Sequence, residues 1–305
     1  MFHAPKRVRR RRRLGAFALL VLGVLLAARN TTPASRALNA ASAVANEDSR
    51  AASFPRGHLV IIGGGGTPLD VVERILTLAG GSAAQVVVLP QASERAEAGA
   101  ESLALWRERG ASRVSIVDLA EPAVARELLC EATLIWFPGG DQTRLMKALE
   151  DAGLTTIVRD RYRDGAVIAG TSAGAAVMSH VMITGDADLE NVHVGTTATA
   201  GGIGLWPEAI VDQHFHQRRR FNRLLSALYD HSALLGVGID ERTAVHVHGR
   251  ELEVLGESSV LILDARGATR AECEARTPAA LRDVRLHLLK SGMRFDWAAP
   301  VDTRR

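Results

Sequence analysis

From residue 58 onwards, the chain alternates short apolar runs with longer segments in which apolar residues recur every three or four positions. The short runs are rich in Val and Ile, which favours strands, and the longer segments have the periodicity of helices. Strands that alternate with helices in this way form a parallel sheet whose two faces are both covered by helices. The sequence therefore predicts an α/β fold with a doubly wound, mostly parallel sheet.

The predicted strands are 59–62, 85–89, 114–118, 133–137, 167–169, 236–239 and 243–248. The predicted helices are 69–79, 95–109, 123–129, 142–152, 154–164, 173–180 and 219–231. After residue 243 the pattern changes to alternation of apolar and polar residues, which predicts an antiparallel meander at the edge of the same sheet. No internal repeat is visible, and we expect 56–305 to form one domain.

The basic excess of the chain lies in its first 45 residues. They hold nine Lys and Arg residues and no Asp or Glu, so the formal net charge of +3 conceals a remaining chain that carries −6. A basic cluster that ends at Arg13 precedes an apolar run at 14–28, which is the layout of a secretory signal. As a helix this run spans about 22 Å, short of the ~30 Å hydrocarbon core of a bilayer.

We therefore expect 1–28 to be a signal peptide, with an uncleaved signal anchor or a basic tail as alternatives. Residues 29–55, rich in Ala, Ser, Thr and Asn, are expected to form a disordered linker. This layout predicts that export machinery recognises the N-terminal segment and that the protein is periplasmic or extracellular. The acidic remainder has no electrostatic footprint for nucleic acid. The oligomeric state stays open, a homodimer included.

Two local features have alternative interpretations. Cys130 and Cys273 could pair in an oxidising compartment, but Cys130 lies in an apolar run typical of a free buried cysteine. The glycine run at 63–66 follows the first predicted strand, yet Pro68 stands where a dinucleotide-binding turn needs its third glycine. Closure of a loop over an active site and a plain structural turn are the two interpretations left for this run.

The segment 165–175 predicts the nucleophile. An apolar run enters the sequence Gly-Thr-Ser-Ala-Gly, and helix-forming residues follow. This is the order of a nucleophile elbow, in which a strained turn lifts a serine hydroxyl above the edge of a sheet. Side chains at Gly170 and Gly174 would collide where the strand and the helix approach, and so sharp a turn needs unusual φ and ψ angles. Ser172 is therefore the candidate nucleophile.

A serine nucleophile also needs a base, an acid that orients the base, and donors for the oxyanion. Residues 133–142 predict a strand that ends in a glycine turn before a helix, with Asp141 near the helix cap. The N–H groups of Gly139 or Gly140 should then point into the crevice at the carboxyl ends of the strands. The N–H of Ala173 is the other natural donor.

His214 is the candidate base. It follows a strand-like apolar run and precedes a group of arginines in an otherwise acidic part of the chain. Arg218, Arg220 and Arg223 could gather on one side of a turn and bind carboxylate groups. The alternative for these arginines is a solvated basic helix face, and Arg219 leaves open which guanidiniums face a pocket.

Four ordered motifs make the chain resemble the family of serine peptidases that holds cyanophycinases and aspartyl dipeptidases. The similarity covers about 58–297. The motifs are F-P-G-G-D-Q at 137–142, G-T-S-A-G-A at 170–175, D-Q-H-F at 212–215 with the arginines after it, and G-I-D-E-R-T-A at 238–244. The resemblance implies a flavodoxin-like sheet related to class I glutamine amidotransferase domains, a serine nucleophile and no metal or cofactor.

Carried over residue by residue, the resemblance makes Ser172 the nucleophile and His214 the base. It also implies a substrate pocket in which arginines bind α-carboxylates while an aspartate and two glutamines suit guanidinium and amide groups. The pocket residues would be Gln142, Asp212, Gln213, Arg218, Arg220 and Arg223. Members of the family hydrolyse β-aspartyl-arginine links in cyanophycin, a polymer of aspartate with arginine on its side-chain carboxyls, and release β-Asp-Arg dipeptides.

The same resemblance leaves two further functions open. One is an aspartyl or isoaspartyl dipeptidase of the same family, which would take a small Asp-containing peptide. The other is a non-catalytic binding protein with the amidotransferase-like fold. The presence of nucleophile, base and acid candidates argues against the latter.

The orienting acid has two candidates. Glu241 ends a predicted strand at the carboxyl edge, where catalytic residues gather, and is favoured. Glu190, in the loop after the elbow helix, would instead give the chain order serine, acid, histidine. Asp240 precedes Glu241 and is expected to point the other way.

Two H-x-H pairs, at 214–216 and 246–248, have the spacing that binds zinc from one face of a strand. No acidic or thiol ligand stands beside either pair in the sequence, and a metal would compete with the base for His214. We therefore expect no metal site.

Overall fold

The computed structural model describes residues 54–185 and 187–299. The predicted signal segment 1–28 and the predicted linker, apart from Phe54 and Pro55, lie outside the described residues, and both stay predictions. Within the described ranges, no helix combines the length and the apolar character needed to cross a membrane.

The strands of the described chain are β1 His58–Ile62, β2 Gln85–Val88, β3 Arg113–Ile116, β4 Leu134–Phe137, β5 Val167–Thr171, β6 Val181–Ile183, β7 Thr199–Gly201, β8 Ala209–Gln213, β9 Leu235–Ile239, β10 Thr243–His248, β11 Glu251–Gly256, β12 Ser259–Asp264, β13 Thr269–Arg270, β14 Leu281–Arg282, β15 Arg285–Lys290 and β16 Arg294–Asp296. The α-helices are α1 Leu69–Leu78, α2 Ala98–Glu108, α3 Pro122–Glu131, α4 Gln142–Asp151, α5 Thr155–Asp164, α6 Ala173–Ala176 and α7 Phe221–Asp230.

The larger sheet has the strand order β16-β11-β10-β1-β5-β4-β2-β3. Strands β1, β5, β4, β2 and β3 run parallel to one another. Strands β10, β11 and β16 continue the sheet with antiparallel pairing on the β1 side. The predicted α/β fold, with a mostly parallel central sheet and antiparallel C-terminal strands, is confirmed.

Strand β4 shows how the central sheet is covered. Leu134 and Trp136 pack with buried residues of α1 and α2 on one face. Ile135 and Phe137 pack with buried residues of α3, α4, α5 and α6 on the other. A strand buried on both faces needs a continuous apolar run, and this is the pattern of the β4 sequence.

A second sheet, with the order β15-β12-β9-β8, corrects the predicted single sheet with an edge meander. Strand β12 turns away from β11 after Gly256 and pairs instead with β9 and β15. Alternation in a sequence shows that a strand has one buried face, but it does not show which strand is its neighbour. Because β8 and β9 are parallel, their carboxyl ends lie at one edge of this second sheet.

Two local expectations also differ from the structure. The helix after the elbow ends at Ala176 rather than at residue 180, because the amides of Met178 and Ser179 bond three residues back in a tighter turn. Cys130 is exposed rather than buried, and both it and Cys273 are free thiols. An exposed thiol at 130 follows from its place on the outer side of α3, which the local apolar run did not reveal.

Candidate active site

Ser172 lies in a strained turn between β5 and α6, with φ 55° and ψ −114°. An L-residue in this region needs support from its surroundings. The two flanking glycines make the turn fit: a Cβ at Gly170 would overlap the carbonyl group of Gly174, and a Cβ at Gly174 would overlap the carbonyl oxygen of Phe137. The geometry is that of the predicted elbow, and it raises the Ser172 hydroxyl above the sheet edge.

The hydroxyl of Ser172 meets the imidazole of His214. The Oγ–Nε2 distance is 2.8 Å, and the other ring nitrogen, Nδ1, lies 2.7 Å from Oε1 of Glu241. A carboxylate beside Nδ1 keeps the proton on that nitrogen, so Nε2 is free to accept the hydrogen bond that the hydroxyl donates. The structure thus joins a hydroxyl, an imidazole and a carboxylate in one chain of hydrogen bonds.

The two acid candidates stand in different places. Glu241 contacts the base, whereas Glu190 is exposed and its amide donates to Asp188 Oδ1 at 2.9 Å. In the described ranges no contact joins Glu190 to His214, whose Nδ1 is already engaged. Asp240 points away from the base and accepts a hydrogen bond from Nδ1 of His216 at 2.7 Å.

The surroundings of His214 favour its neutral form. Burial lowers the pKa of His214 below its ordinary value of 6.5, and the positive charges of Arg218 and Arg220 lower this pKa further, while Glu241 opposes both effects. A neutral imidazole at neutral pH is the form that can take a proton from Ser172.

The glycine run at 63–66 forms the back of this arrangement. A Cβ at Gly64 would overlap the imidazole of His214, and a Cβ at Gly65 would lie 2.6 Å from Oε2 of Glu241. The carbonyl of Gly63 accepts the amide of His214 at 2.7 Å. The run therefore lies directly against the candidate site, where its glycines make room for the side chains of His214 and Glu241, and closure of a loop over the site stays a prediction.

The Gly139–Gly140 turn faces Ser172 from the end of β4. A Cβ at Gly139 would lie 3.4 Å from Cβ of Ser172, and Gly140 has φ 145°, a conformation that needs glycine. Neither the amide of Gly140 nor that of Ala173 finds an acceptor among the described residues. Two unused N–H groups beside a serine hydroxyl are the arrangement that an oxyanion requires.

A cavity of about 300 Å³ opens beside Ser172. The predicted residues that line it are Gly140, Gln142, Gln213, Arg218, Arg220 and Arg223. Arg219 is absent from its walls, which settles the orientation that the sequence left open. The guanidinium of Arg218 is exposed and has no partner within the described part of the chain.

Asp212 does not line this cavity, contrary to the expectation that it binds substrate. Its side chain is fully buried, and its carboxylate accepts two hydrogen bonds from Arg223, one of them at 2.8 Å, and one from Arg220 at 3.5 Å. A buried carboxylate between two guanidiniums fixes both of them. Asp212 therefore positions the arginines of the cavity rather than a ligand.

The outer wall of the cavity comes from the loop after β6, which the sequence analysis considered only as the location of the alternative acid Glu190. Thr184, Gly185 and Leu189 contribute to this wall. Gln142 Nε2 donates to the carbonyls of Ile183 and Thr184 at 3.0 and 3.1 Å, so its amide nitrogen holds the loop. Tertiary contacts bring these three wall residues to the site, since no motif or charge pattern marks them.

Neither H-x-H pair belongs to a metal site in the part of the chain that the structure describes, where no three His, Cys, Asp or Glu side chains converge on one point. Both ring nitrogens of His214 are engaged by Ser172 and Glu241. His246 lies on β10, and its Nε2 is 3.0 Å from Nδ1 of His58.

Comparison with known proteins identifies the family. The model of peptidase family S51 matches residues 59–255. The chain belongs to peptidase family S51. It is therefore a serine-type peptidase, and the hydroxyl–imidazole–carboxylate chain lies within the matched region.

The relatives and the neighbouring fold agree with this assignment. A cyanophycinase of a Nostoc species is 40% identical over 237 residues, which cover 74% of this chain and 80% of that protein. A cyanophycinase of Geminocystis herdmanii is 37% identical over 257 residues, 80% of this S51 peptidase and 94% of the relative. The crystal structure of a peptidase from an acI-B1 actinobacterium superposes with a TM-score of 0.57 at 20% identity, over 80% of this chain and 98% of the other, which shows a shared fold.

Proposed function

We propose that this S51 peptidase degrades cyanophycin, with Ser172 as nucleophile, His214 as general base and Glu241 as the orienting acid. The observation that carries the proposal is the continuous hydrogen-bond chain through these three side chains, which opens on a cavity lined by three guanidiniums. The cyanophycinase relatives support the substrate, because each repeat of that polymer carries the α-carboxylate of an arginine.

The geometry supports a standard acyl-transfer mechanism. Ser172 Oγ attacks the scissile carbonyl carbon while His214 Nε2 takes the hydroxyl proton, and Glu241 stabilises the imidazolium. The N–H groups of Gly140 and Ala173 donate to the oxyanion. The imidazolium then protonates the leaving amine. A water molecule, deprotonated by the same imidazole, hydrolyses the acyl-enzyme.

The identity of the product determines which amide of cyanophycin must be cut. Hydrolysis of the β-aspartyl-arginine amide itself would release free arginine and leave a polyaspartate backbone. Release of an intact β-Asp-Arg dipeptide requires hydrolysis of the backbone amide between successive aspartates, with the β-linkage retained. The expectation from the sequence was that the β-linkage is cut and that β-Asp-Arg is released. These two statements exclude each other, because cutting the β-linkage separates aspartate from arginine. We propose the dipeptide product, and therefore the backbone amide.

Incubation of the purified protein with cyanophycin granules, followed by mass spectrometry of the soluble fraction, tests this proposal. We expect β-Asp-Arg, without free arginine, and no product from Ser172→Ala. Intact granules together with hydrolysis of free isoaspartyl or aspartyl dipeptides would instead establish the dipeptidase. A protein that yields neither product and resists a fluorophosphonate label would be a binding protein.

A matched pair of variants tests the acid. Glu241→Gln removes the carboxylate that orients His214, and loss of this group from a serine triad lowers kcat about 10⁴-fold. Glu190→Gln changes an exposed carboxylate that does not contact the base and should retain wild-type kcat. The opposite ranking of the two variants would assign the acid to Glu190.

We also propose export through the N-terminal segment, on the basis of its basic cluster and apolar run. Substitution of the five arginines at 9–13 by glutamine should leave the protein in the cytoplasmic fraction of its host. Equal extracytoplasmic amounts of this variant and the wild type would contradict export by that segment.

A further inference from the structure

A second cavity lies on the other side of the Gly139–Gly140 turn. It has a volume of about 420 Å³, and both glycines of the turn and Thr171 belong to its wall. Gly140 also lines the first cavity, so the two cavities meet at the proposed oxyanion donor and flank Ser172. An extended substrate whose scissile carbonyl lies at Gly140 therefore has chain on both sides of this turn.

The walls of the second cavity differ in character from those of the first. Leu105, Trp136 and Pro138 supply an apolar surface, and Glu101 places a carboxylate beside it. Glu101 and Leu105 are four residues apart on α2, so they lie on the same face of that helix. An apolar surface that ends in a carboxylate is complementary to a side chain with an aliphatic stem and a cationic head.

The chain itself shows that a guanidinium fits this carboxylate. Arg95, from the segment before α2, donates from Nη2 to Oε1 of Glu101. Both side chains are more than half exposed, and ion pairs of this kind contribute only about 0–1 kcal/mol. A guanidinium from a ligand can therefore take the place of Arg95 at little cost.

We propose that the second cavity binds an arginine-type side chain of the substrate, with the stem on the apolar wall and the guanidinium on Glu101 in place of Arg95. The inference rests on the proposed function and adds the recognition of the repeat that lies across the scissile bond. The first cavity presents three guanidiniums and takes carboxylates; the second presents one carboxylate and takes the cation. A substrate with both groups in each repeat matches this pair of cavities.

Two substitutions of opposite expected effect test the inference. With a soluble oligomer of β-Asp-Arg repeats as substrate, Glu101→Gln should raise KM about fivefold, the order expected for a partly exposed ion pair. Arg95→Gln removes the internal competitor and should lower KM about twofold, with kcat unchanged in both variants. Arg107→Gln and Glu108→Gln, at the far end of α2, are the matched controls and should leave KM unchanged.

A binding measurement separates this inference from the proposed function. L-arginine amide carries a guanidinium but no carboxylate, so the cationic first cavity repels it. Calorimetry should show that Ser172→Ala binds L-arginine amide. Added to Ser172→Ala, Glu101→Gln should weaken this binding and Arg95→Gln should strengthen it. Norleucine amide, which lacks the guanidinium, should not bind.

The outcomes of the two tests are distinct. If the protein releases no dipeptide but binds arginine amide through Glu101, the proposed function is wrong and the inferred site is supported. No binding of arginine amide, equal binding by Glu101→Gln, or a shift of KM in the same direction for both variants would overturn the site.

Discussion

At the scale of single residues, the proposed nucleophile and the proposed base share an unusual property. Ser172 and His214 both have positive φ, at 55° and 49°, and such backbone costs on the order of 1–3 kcal/mol at each position. Their amides are held by consecutive carbonyls at the end of one strand: Ser172 N donates to Ile62 O at 3.0 Å and His214 N to Gly63 O at 2.7 Å. One short segment at the end of β1 therefore fixes the distance between the Ser172 hydroxyl and the His214 imidazole, the two groups proposed to exchange the proton.

The glycine run that continues this segment provides a sharp test of positioning. Gly64→Ala places a methyl group against the imidazole of His214, and a displacement of about 1 Å in a catalytic group can lower the rate about 100-fold. Gly66→Ala carries a comparable backbone penalty, since its φ is also positive, but of the described residues its Cβ would contact only Arg242, at 3.5 Å from Nη1. Measured kcat/KM should therefore fall much further in Gly64→Ala. Equal losses in the two variants would show that backbone strain alone is responsible.

Arg218 should affect both binding and the titration of the base. Its guanidinium, which has no partner among the described residues, lines the cavity. A charged hydrogen bond to a substrate carboxylate is worth about 1.5–3 kcal/mol, so Arg218→Gln should lower kcat/KM about 10- to 100-fold. Removal of the positive charge also raises the pKa of His214, which that charge lowers. The acidic limb of the kcat/KM profile should then move to higher pH.

Arg219→Gln is the control for this substitution. It removes the same charge at the next residue, whose side chain does not line the cavity. Its pH profile should match that of the wild type within error. An acidic limb that stays in place in Arg218→Gln would show that Arg218 does not act on the base.

At the scale of structural elements, a reciprocal clamp joins the turn after β8 to the end of β9. The carboxylate of Asp240 accepts the amide and Nδ1 of His216 at 3.1 and 2.7 Å, and Oε1 of Gln217 accepts the amide of Glu241 at 3.1 Å. Hydroxyls of the two serines at 258 and 259 hold the other oxygen of Asp240. A side chain from each segment thus accepts a hydrogen bond from the other, which links the turn that carries His214 to the strand end that carries Glu241.

Loss of this clamp should loosen the acid–base pair without removing either member. Asp240→Asn can no longer accept both hydrogen bonds from His216 with a charged oxygen, so kcat should fall about tenfold or more, on the order of one charge-assisted hydrogen bond. His216→Ala should show a similar loss, whereas His216→Asn, whose amide can donate in place of Nδ1, should recover most of it. A loss in thermal stability with an unchanged kcat in all three variants would mean that the clamp supports only the fold.

The sequence predicts the elements better than their assembly. The elbow, the glycine turn at 139–140 and the strand ends before His214 and Glu241 were predictable, because each is a local pattern with a steric or chemical reason. The pairing of β9 and β12 in a second sheet was not, since alternation does not encode the neighbour of a strand. The burial of Asp212 under two arginines and the approach of the loop after β6 likewise depend on contacts between residues distant in the chain.

At the scale of the whole molecule, the site is assembled from both sheets. Ser172 follows β5 of the larger sheet, whereas His214 and Glu241 follow β8 and β9 of the smaller one. Strand β1 connects the two parts, because its end holds the amides of Ser172 and His214 while its length pairs with β5 and β10. Conditions that weaken the β1–β10 pairing should therefore affect stability and the geometry of the site together.

A group of histidines at the other end of β1 and β10 makes this pairing sensitive to acid. His58 and His246 lie 3.0 Å apart between ring nitrogens, and the ring of His58 stacks on that of His248 at 4.1 Å. Burial lowers the pKa of His58 to about 4, helped by the charges of His248 and Arg74, and burial lowers the pKa of His246 to about 4, helped by His58, Arg74 and the other nearby cations.

The sign of the resulting pH dependence follows from proton uptake. Between pH 6.5 and about 4 the unfolded chain binds protons at His58 and His246 that the folded chain does not, so the free energy of unfolding falls as the pH falls through this interval. His246→Val removes one of these two histidines and reduces the burial and the repulsion between charges at the other, His58. Valine suits a buried strand position. Denaturant unfolding at pH 7 and pH 5 should therefore show a smaller loss of stability in His246→Val than in the wild type, whereas His231→Gln, at the end of α7, should lose as much as the wild type. Equal losses in all three proteins would show that protonation of the histidines on β1 and β10 does not control the acid sensitivity of the fold.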